Sequence, residues 1–371
     1  MNNKAADDLI NIAGRFTTTG AVTDIQPFGS GNINDTFLAT IDSGEERHFI
    51  LQRLNTRVFR RPELVMKNML TATEHIHALL QNVSLDEGRR WEIPRVLLSR
   101  DGQDHWVDAH GSFWRAISFI ECAETFDTIQ SIAHAEEVGF ALGMFHRLVS
   151  SLSPETLSDT LEGFHITPCY LAHYDDVLES NRLGRSWETG HCIQFIKRRR
   201  AWAHILEEGK AHGKLYIRTM HGDPKINNVL IDTANQRAVG MIDLDTVKPG
   251  LVHYDIGDCL RSACNPSGEE VEQWETVHFE PDICRAILRG YLSQARSFLS
   301  AFDYEYLFDA ARLIAFELGL RFFTDYLEGD IYFKARHKGH NLLRALVQFN
   351  LVESIESQEP AIRAIIREFG E

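Results

Sequence analysis

Long apolar runs are missing from this chain of 371 residues. No stretch approaches the roughly 18–20 apolar residues in a row that a membrane-spanning helix needs. The first residues, MNNKAADDLINIAGRF, carry Asp7 and Asp8 and have no apolar core of the kind that signal peptides contain. We therefore expect a protein that acts in the cytoplasm and does not enter a membrane.

Basic residues are also scarce. The chain has 38 Lys and Arg against 53 Asp and Glu, which gives a formal net charge of −15. A surface this acidic repels phosphate backbones and anionic lipids, so neither nucleic acid nor a membrane surface is expected as a partner. The basic run at 197–200 is interpreted as the solvated side of a helix.

Cysteine is rare, and no CxxC pair occurs. In a chain of this length and composition, isolated cysteines indicate reduced, mostly buried thiols, not a disulfide framework or a zinc site. The six are Cys122, Cys169, Cys192, Cys259, Cys264 and Cys284. With 44% hydrophobic and 25% charged residues, the chain has the composition of an ordinary globular protein with a sizeable core.

Strand patterns dominate the first third of the chain, and helix patterns dominate the rest. Short β-branched or aromatic runs at 21–28, 35–40 and 47–51 are separated by glycine-containing turns and predict a three-stranded meander. A helix is predicted at 62–80, further strands at 94–99, 105–109 and 113–120, and a mainly helical remainder from 133, with long helices around 311–327 and 341–355. This order predicts an α+β, two-lobed protein with lobes 1–120 and 121–371.

One stretch in the helical part carries candidate catalytic residues. The loop MHGDPKINN at 220–228 exposes the carboxylate of Asp223 and the carboxamide of Asn228, and strands at 228–232 and 238–243 then bring the carboxylate of Asp243 beside it. Phosphoryl transfer needs a carboxylate to orient the attacking hydroxyl and oxygen ligands to hold Mg²⁺. His221 is expected to bond backbone or carboxylate within the loop.

Taken singly, these residues fit a turn with Asp223-Pro224 at its corner and Asn228 as a cap. The complete pattern H-x-D-x₄-N, two strands and I-D is far more specific, and it favours catalysis. It resembles the aminoglycoside phosphotransferase and choline kinase superfamily, which has the protein-kinase fold. The resemblance implies Asp223 as the base, Asn228 and Asp243 as Mg²⁺ ligands, ATP as co-substrate, and Asp255 in the motif 253–258 as the brace of the catalytic loop.

The nucleotide site is predicted in the first lobe. Gly29, Ser30 and Gly31 lie between two strands, where kinases place the loop that covers the phosphates, although glycines in a hairpin often only make the turn. Strand 113–120 and Glu121 resemble the strand and hinge that bind adenine. The third strand ends in Gln52 where kinases have a lysine that pairs with the phosphates, and Arg53 is expected to point to the opposite face.

The acceptor site is predicted in the polar and aromatic segment 319–333. As a plain helix, it would pair Arg321 with Asp325 at i,i+4 and stop at Gly329. The segment also resembles the N-acetylhexosamine 1-kinase branch of the superfamily, as do residues 33–34, 50–52 and 242–246. That branch implies contacts from Arg321 and Tyr332 to a sugar, and it makes Gln52 a trait of the branch.

Three functions are considered for the chain. The first is an ATP- and Mg²⁺-dependent kinase for the anomeric hydroxyl of an N-acetylhexosamine. The second is a kinase of the same fold for another hydroxyl acceptor, such as a different sugar, an aminoglycoside or an amino alcohol. The third is a nucleotide-binding pseudokinase, and the presence of Asp223, Asn228 and Asp243 together argues against it. No feature of the sequence predicts an oligomeric state.

Overall fold

The computed structural model describes residues 3–16, 20–29, 33–42, 47–180 and 186–370. In this part of the chain, the helices are α1 (Asn3–Ala13), α2 (Pro62–Leu80), α3 (Ile132–Val149), α4 (Thr167–Ser180), α5 (Trp187–Arg199), α6 (Ile205–Ala211), α7 (Val252–Ala263), α8 (Pro281–Ala295), α9 (Ala301–Glu305), α10 (Leu307–Glu328), α11 (His340–Ser357) and α12 (Glu359–Gly370). The strands are β1 (Val22–Pro27), β2 (Asp35–Ile41), β3 (His48–Leu54), β4 (Val96–Leu97), β5 (Trp106–Val107), β6 (Phe113–Ser118), β7 (Ala123–Glu124), β8 (Arg218–Met220), β9 (Val229–Asp232), β10 (Ala238–Met241) and β11 (Lys248–Gly250).

The N-terminal lobe is built on one antiparallel sheet of order β1-β2-β3-β6-β4, with β5 pairing the end of β6. The predicted meander β1-β2-β3 is therefore confirmed. One face of the sheet closes on α1 through a small core that includes Phe16, Leu51 and Trp114. The register sets Gln52 of β3 directly opposite Arg115 of β6, which places these two side chains on the same face of the sheet.

The C-terminal lobe is mainly helical, and its core is continuous with the other face of the sheet lobe. The same cluster of buried side chains runs from Ile50 on β3 and Met66 on α2 to Phe316 on α10 and Phe349 on α11. The predicted α+β fold with a small sheet lobe and a larger helical lobe is confirmed. None of the described helices combines the length and the apolar character that crossing a membrane requires.

Helix ends follow the local sequence. Pro62 occupies the first turn of α2, where its missing N–H costs nothing, and Ser131 caps α3 by accepting from the His134 N–H at 3.1 Å. Gly329 ends α10 in the left-handed conformation at φ 97°, so the predicted stop is confirmed. The predicted helices at 62–80, 311–327 and 341–355 are matched by α2, α10 and α11.

The hairpin that follows the loop 220–228 is shorter than predicted. Its second strand, β10, ends at Met241 because Asp243 has a positive φ of 64°, which a regular strand does not allow. Two short ladders were not anticipated, namely β7 with β9 and β8 with β11. The second of these joins both ends of the segment that carries Asp223 and Asp243.

Two glycines allow α3 and α8 to pack with backbone contact. A Cβ atom on Gly139 would lie 2.0 Å from the carbonyl oxygen of Ile287, and one on Gly290 would lie 1.9 Å from that of Glu136. These distances are far inside van der Waals contact, so any larger side chain must push the helices apart. The helix pair matters for the site because α3 also carries His146, which is described below.

We predict that Gly290→Ala destabilises the protein by about 1–3 kcal/mol, the usual cost of overpacking a well-packed core. The matched control is Gly190→Ala in α5, where an added Cβ meets nothing within 4 Å. That change should be neutral or stabilise by about 0.5–1 kcal/mol because alanine favours the helix. Midpoints of thermal unfolding measured on both variants test the assignment, and equal midpoints would contradict it.

Candidate active site

The loop between β8 and β9 presents Asp223 together with two groups that hold its carboxylate. Lys225 donates from Nζ to Asp223 Oδ2 at 2.7 Å, and Asn228 donates from Nδ2 to the same oxygen at 3.2 Å. Asn228 Nδ2 also donates to the backbone carbonyl of Asp223 at 2.7 Å. The Nδ2 group of Asn228 thus fixes the orientation of Asp223. The Oδ1 atom of Asn228 is then the atom of this side chain that can bind a cation.

Asp223 stays ionised although it is partly withdrawn from water. Removal from water alone would raise its pKa, but the ammonium of Lys225 outweighs this effect through its charge and its hydrogen bond, so the pKa of Asp223 lies below the ordinary value. A carboxylate with a low pKa is available as a proton acceptor over the whole neutral range. Lys225 was not singled out from the sequence, although its position two residues after Asp223 was visible.

Asp255 at the start of α7 supports the loop from below. Its Oδ2 accepts from the His221 N–H at 2.6 Å and its Oδ1 accepts from the Gly222 N–H at 2.8 Å. The ring of His146 on α3 contributes a third hydrogen bond, between its Nε2 and Oδ2 at 2.8 Å. Burial would raise the pKa of Asp255, but these donors, His146 first, hold it below the usual range.

His221 links the loop to the strand that leads to Asp243. Its Nδ1 accepts from the Asp223 N–H at 3.3 Å, and its Nε2 donates to the Ile242 carbonyl at 3.1 Å. These partners select the neutral tautomer with the proton on Nε2. Burial lowers the pKa of His221, which keeps the ring neutral. The structure thus places both His221 and Asp255 where the sequence analysis expected supporting residues.

Further contacts to the loop come from residues that the sequence did not reveal. His165 donates from Nε2 to the Gly222 carbonyl at 2.9 Å, and its Nδ1 contacts the carboxylate of Glu317 on α10 at 3.0 Å. Thr246 donates to the His221 carbonyl at 2.8 Å. Gly222 itself has φ 90°, and a Cβ there would lie 2.7 Å from Thr246, so this position requires glycine.

Asp243 follows β10 in the left-handed conformation, which turns its carboxylate towards the loop. Although Asp243 is exposed to the cavity, loss of hydration inside the cavity raises its pKa, the neighbouring carboxylates of Asp245 and Asp223 raise it further, and the pKa is about 7. Lys225 and Arg115 oppose this shift without cancelling it. Asp243 is therefore a carboxylate with too little positive charge around it.

A cavity of about 850 Å³ contains these groups and extends to the sheet lobe. Asp223, Asn228 and Asp243 line it from one side, and Gly29 and Gln52 line it from the other. Gly29 has φ 74°, as a turn at that point requires. The predicted residues Ser30 and Gly31 lie outside the described residues.

Glu121 lies beside this cavity but is not among the described residues that line it. Its side chain contacts His48 Nδ1 at 2.7 Å, and its carbonyl accepts from Arg90 at 2.7 Å. The neighbouring hinge residues Phe119, Ile120 and Ala123 do line the cavity. The predicted contact between Glu121 and the nucleotide stays a prediction.

Gln52 forms part of a buried polar network. It donates from Nε2 to Thr36 Oγ1 at 3.0 Å, and its Oε1 accepts from Arg115 Nε at 2.9 Å and Nη2 at 2.6 Å. Arg115 is 1% exposed and forms an ion pair with Asp245, whose other oxygen accepts from Asn34 at 2.5 Å. Arg53 points away from the cavity to Asp35, as predicted.

Arg321 and Tyr332 occupy an aromatic cluster that lies apart from the described lining of the cavity. The Arg321 guanidinium lies 5.0 Å from the ring centroid of Tyr170 and 5.4 Å from those of Phe164 and Phe333. Tyr332 packs edge-on against Phe333 and is 49% exposed. The two residues are brought together by the exit of α10, and their role towards a substrate stays a prediction.

The expected i,i+4 pair between Arg321 and Asp325 is not formed in the structure. The Asp325 carboxylate instead accepts from the backbone N–H groups of residues 331, 332 and 333 at 3.0, 2.7 and 3.0 Å, and from Asn341 at 2.9 Å. Partly buried backbone donors at a helix exit need acceptors, and here they take the carboxylate that would otherwise pair with Arg321.

Two carboxylates that line the cavity, those of Glu269 and Glu270, are paired with cations of the chain. Glu269 forms an ion pair with Arg261, and Glu270 pairs with Arg344 and with Arg336, the latter at 2.8 Å. Together with Lys225 on Asp223, these pairs offset part of the negative charge here, although Arg261 is shared between Glu269 and Asp258.

Comparison with known proteins connects this geometry to a family. The model of the phosphotransferase enzyme family (APH) matches residues 24–291, which is most of the chain and includes the whole loop and Asp255. The chain belongs to this family. The prediction that the protein is an ATP-dependent phosphotransferase with an alcohol group as acceptor is thereby confirmed at the level of the family.

Solved structures of the same fold include three phosphotransferases. A microcompartment-associated aminopropanol kinase superposes with a TM-score of 0.64 at 16% identity, covering 95% of this chain and 98% of its own. A choline kinase from Cryptosporidium parvum gives 0.61 at 13% identity, with 97% of each chain covered. An amicoumacin kinase, solved in complex with AMP-PNP, Ca²⁺ and Ami, gives 0.56 at 15% identity, also with 97% of each chain covered. Identities this low show the shared fold.

A divalent cation fits the side chains of Asp243 and Asn228. Mg²⁺ is usually held by one or two protein oxygens together with substrate phosphates and water. The described part of the chain has no group of three or more His, Cys, Asp or Glu arranged as a metal site. A cation at Asp243 would supply the positive charge that this carboxylate lacks.

We predict that the affinity for a preformed Mg²⁺–nucleotide complex depends on Asp243 ionisation. Because the pKa of Asp243 is about 7, binding a cation below pH 7 must displace a proton. Binding should therefore be roughly tenfold tighter at pH 8 than at pH 6. Calorimetric titration at both values, with saturating Mg²⁺, measures the difference.

Asp243→Asn is the matched control because asparagine tolerates the left-handed conformation and cannot titrate. The variant should bind the Mg²⁺–nucleotide complex more weakly than the parent protein. The change in affinity between pH 6 and pH 8 that is due to residue 243 should be absent. An equal pH dependence in the variant and the parent protein would contradict the assignment.

Proposed function

We propose that the protein is an ATP- and Mg²⁺-dependent sugar kinase that phosphorylates the anomeric hydroxyl of an N-acetylhexosamine to give the hexosamine 1-phosphate. The observation that carries the proposal is the convergence of Asp223, Asn228 and Asp243 in one cavity with Gly29 and Gln52. The acceptor class rests on the sequence resemblance of residues 319–333 and on the paired carboxylates near Asp223.

In this proposal the two lobes have different roles. Residues 1–120 bind the nucleotide, because Gly29 and Gln52 lie on the sheet side of the cavity. Residues 121–371 supply the loop with Asp223, the metal ligands Asn228 and Asp243, and the acceptor site. Bound Mg²⁺ would neutralise charge on the ATP phosphates and on the leaving group.

Asp223 is the proposed base. Its carboxylate is ionised, held by Asn228 and exposed to the cavity, so it can orient a hydroxyl and accept its proton late in a loose transition state. An anomeric hydroxyl is more acidic than other sugar hydroxyls because the ring oxygen withdraws electron density, so a strongly basic residue is not needed. Lys225 lies beside the carboxylate and stabilises negative charge that develops on the transferred group.

Charge near Asp223 supports a neutral acceptor. A site for an aminoglycoside or an amino alcohol needs free carboxylates to pair with its ammonium groups. Here Glu269 and Glu270 already pair with Arg261, Arg344 and Arg336. The second candidate function is an amino-alcohol kinase, which is favoured by the fold shared with the aminopropanol and choline kinases.

We predict that Asp223→Asn lowers kcat by about 10²–10⁴, the usual range for loss of a general base. The affinities for ATP and sugar should change little, because the amide retains the size of the carboxylate and can still bond a hydroxyl. Steady-state kinetics and nucleotide titration measure the two effects. The control is Asp24→Asn, the same change at an exposed position on β1, and near-normal kcat in the Asp223 variant would overturn the role.

An acceptor panel tests the substrate. We expect ADP release with N-acetylglucosamine or N-acetylgalactosamine, with the phosphate on C1 by ³¹P NMR, and no reaction with the methyl glycoside, in which the C1 oxygen is blocked. Phosphorylation of the methyl glycoside would refute the anomeric position and leave the kinase assignment in place. Turnover of choline or ethanolamine with no turnover of any sugar would support the second candidate.

A further inference from the structure

The position that supplies a phosphate-binding lysine in kinases is neutral in this chain. Gln52 stands there, and its amide is already engaged with Thr36 and Arg115. A nucleotide triphosphate needs positive charge from the protein beyond that of one metal ion. The charge must therefore come from another residue that faces the same part of the cavity.

Three cationic side chains line the cavity among the described residues, and they occupy different places. Lys225 is bound to Asp223, and Arg336 pairs with Glu270 at the acceptor side and is largely exposed. Arg115 lines the part of the cavity that Asn34, at the end of the glycine turn, and Thr36 also line, and it is 1% exposed. Its position on β6, directly opposite Gln52, puts it one strand away from the usual lysine.

The guanidinium of Arg115 has one donor group, Nη1, that lacks a strong acceptor among the described residues. Its Nε and Nη2 are used by Gln52 and Asp245. Within the described residues, its Nη1 meets only the sulfur atoms of Met69 at 3.5 Å and Met66 at 3.9 Å, which are weak acceptors. Met69 itself lines the cavity, so the poorly satisfied end of the guanidinium lies at the cavity wall. A phosphate oxygen is a far better partner for it.

Asp245 completes the arrangement from the other lobe. It lies two residues after Asp243 and is 2% exposed; its Oδ2 accepts from Asn34, and its Oδ1 is in ion-pair contact with Arg115. Asn34 is held in turn because its Oδ1 accepts from the Asn55 N–H at 2.9 Å. Asp245 thus joins the end of the glycine turn, the cation on β6 and the segment that carries Asp243.

We propose that Arg115 anchors the nucleotide phosphates in place of the missing lysine, with Gln52 and Asp245 as positioning residues that aim its guanidinium. This inference rests on the proposed kinase function. The ion pair that kinases build between a β3 lysine and a helix glutamate is moved here to β6 and to the segment after Asp243. The alternative is a purely structural role, in which Arg115 only neutralises the buried charge of Asp245.

The double variant Arg115→Met/Asp245→Asn separates these roles. It removes one positive and one negative charge, so the net charge is unchanged and no buried carboxylate is left unpaired. The new amide at position 245 can still accept from Asn34. Calorimetric or fluorescence titrations with ATP, ADP, AMP and adenosine, on the parent protein and the variant, measure binding as a function of phosphate number.

We expect ATP and ADP to bind roughly 10- to 100-fold more weakly to the double variant, the worth of a hydrogen bond to a charged group, while adenosine binds as before. The second variant, Arg115→Gln/Gln52→Lys, returns the cation to β3 and should recover much of the ATP affinity. A distorted site would weaken the binding of ATP and of adenosine equally, whereas loss of a phosphate contact would weaken ATP binding alone. The ratio of the ATP affinity to the adenosine affinity is therefore the decisive readout.

Unchanged ATP affinity in the double variant overturns the inference, and so does an equal loss for ATP and adenosine, which indicates a structural role. Both results leave the proposed kinase function standing if the parent protein binds ATP. Failure of the parent protein to bind ATP or to release ADP with any acceptor refutes the proposed function itself, and the inference with it.

Discussion

The carboxylate of Asp255 is the contact on which the rest of the active site depends. It is completely buried, and it accepts the N–H groups of His221 and Gly222 and a proton of His146. A buried charge is tolerated only when its hydrogen bonds are satisfied, so the loop, α3 and α7 must all be in place for this residue to remain ionised. The geometry of Asp223 is thereby tied to the packing of two helices, α3 and α7, and α3 in turn packs against α8 through glycine contacts.

Much of the fold and part of the site could be predicted from the sequence, because they depend on local patterns. Alternating apolar residues and glycine turns identify the β1-β2-β3 meander, and helical periodicity identifies α2, α10 and α11. The spacing from His221 to Asn228 and on to Asp243 forms a linear motif. In these cases the residues that act together are close in the chain or follow one another in a hairpin.

The remainder depends on tertiary pairing. Arg115 meets Gln52 only because β6 pairs with β3, and His165 reaches Gly222 across 57 positions of sequence. No spacing rule connects such residues. The wrong expectation for Asp325 has a related cause, since its partners are three backbone N–H groups after the end of α10. Side-chain pairing rules for helices do not consider backbone groups that a helix exit leaves unsatisfied.

The charges of the cavity suggest why metal and nucleotide should enter together. Among the described lining residues, seven have carboxylates and three have cationic groups: Glu124, Asp127, Asp223, Asp243, Asp245, Glu269 and Glu270 against Arg115, Lys225 and Arg336. Most carboxylates near the chemistry have a fixed partner, namely Lys225 for Asp223, Arg115 for Asp245 and arginines for Glu269 and Glu270. Asp243 differs from these, since desolvation in the cavity and then the neighbouring carboxylates of Asp245 and Asp223 raise its pKa.

An unaccompanied polyphosphate would bring more negative charge to Asp243 and so meet repulsion, whereas a divalent cation alone would find only two protein ligands. When both bind together, the cation is coordinated by the phosphates and by the carboxylate of Asp243, and the charge of each group is compensated. In the proposed reaction, Asp223, Asp245, Glu269 and Glu270 are paired with cations of the chain. Asp243 has no ion pair among the described residues, and its carboxylate favours a nucleotide that carries its own cation.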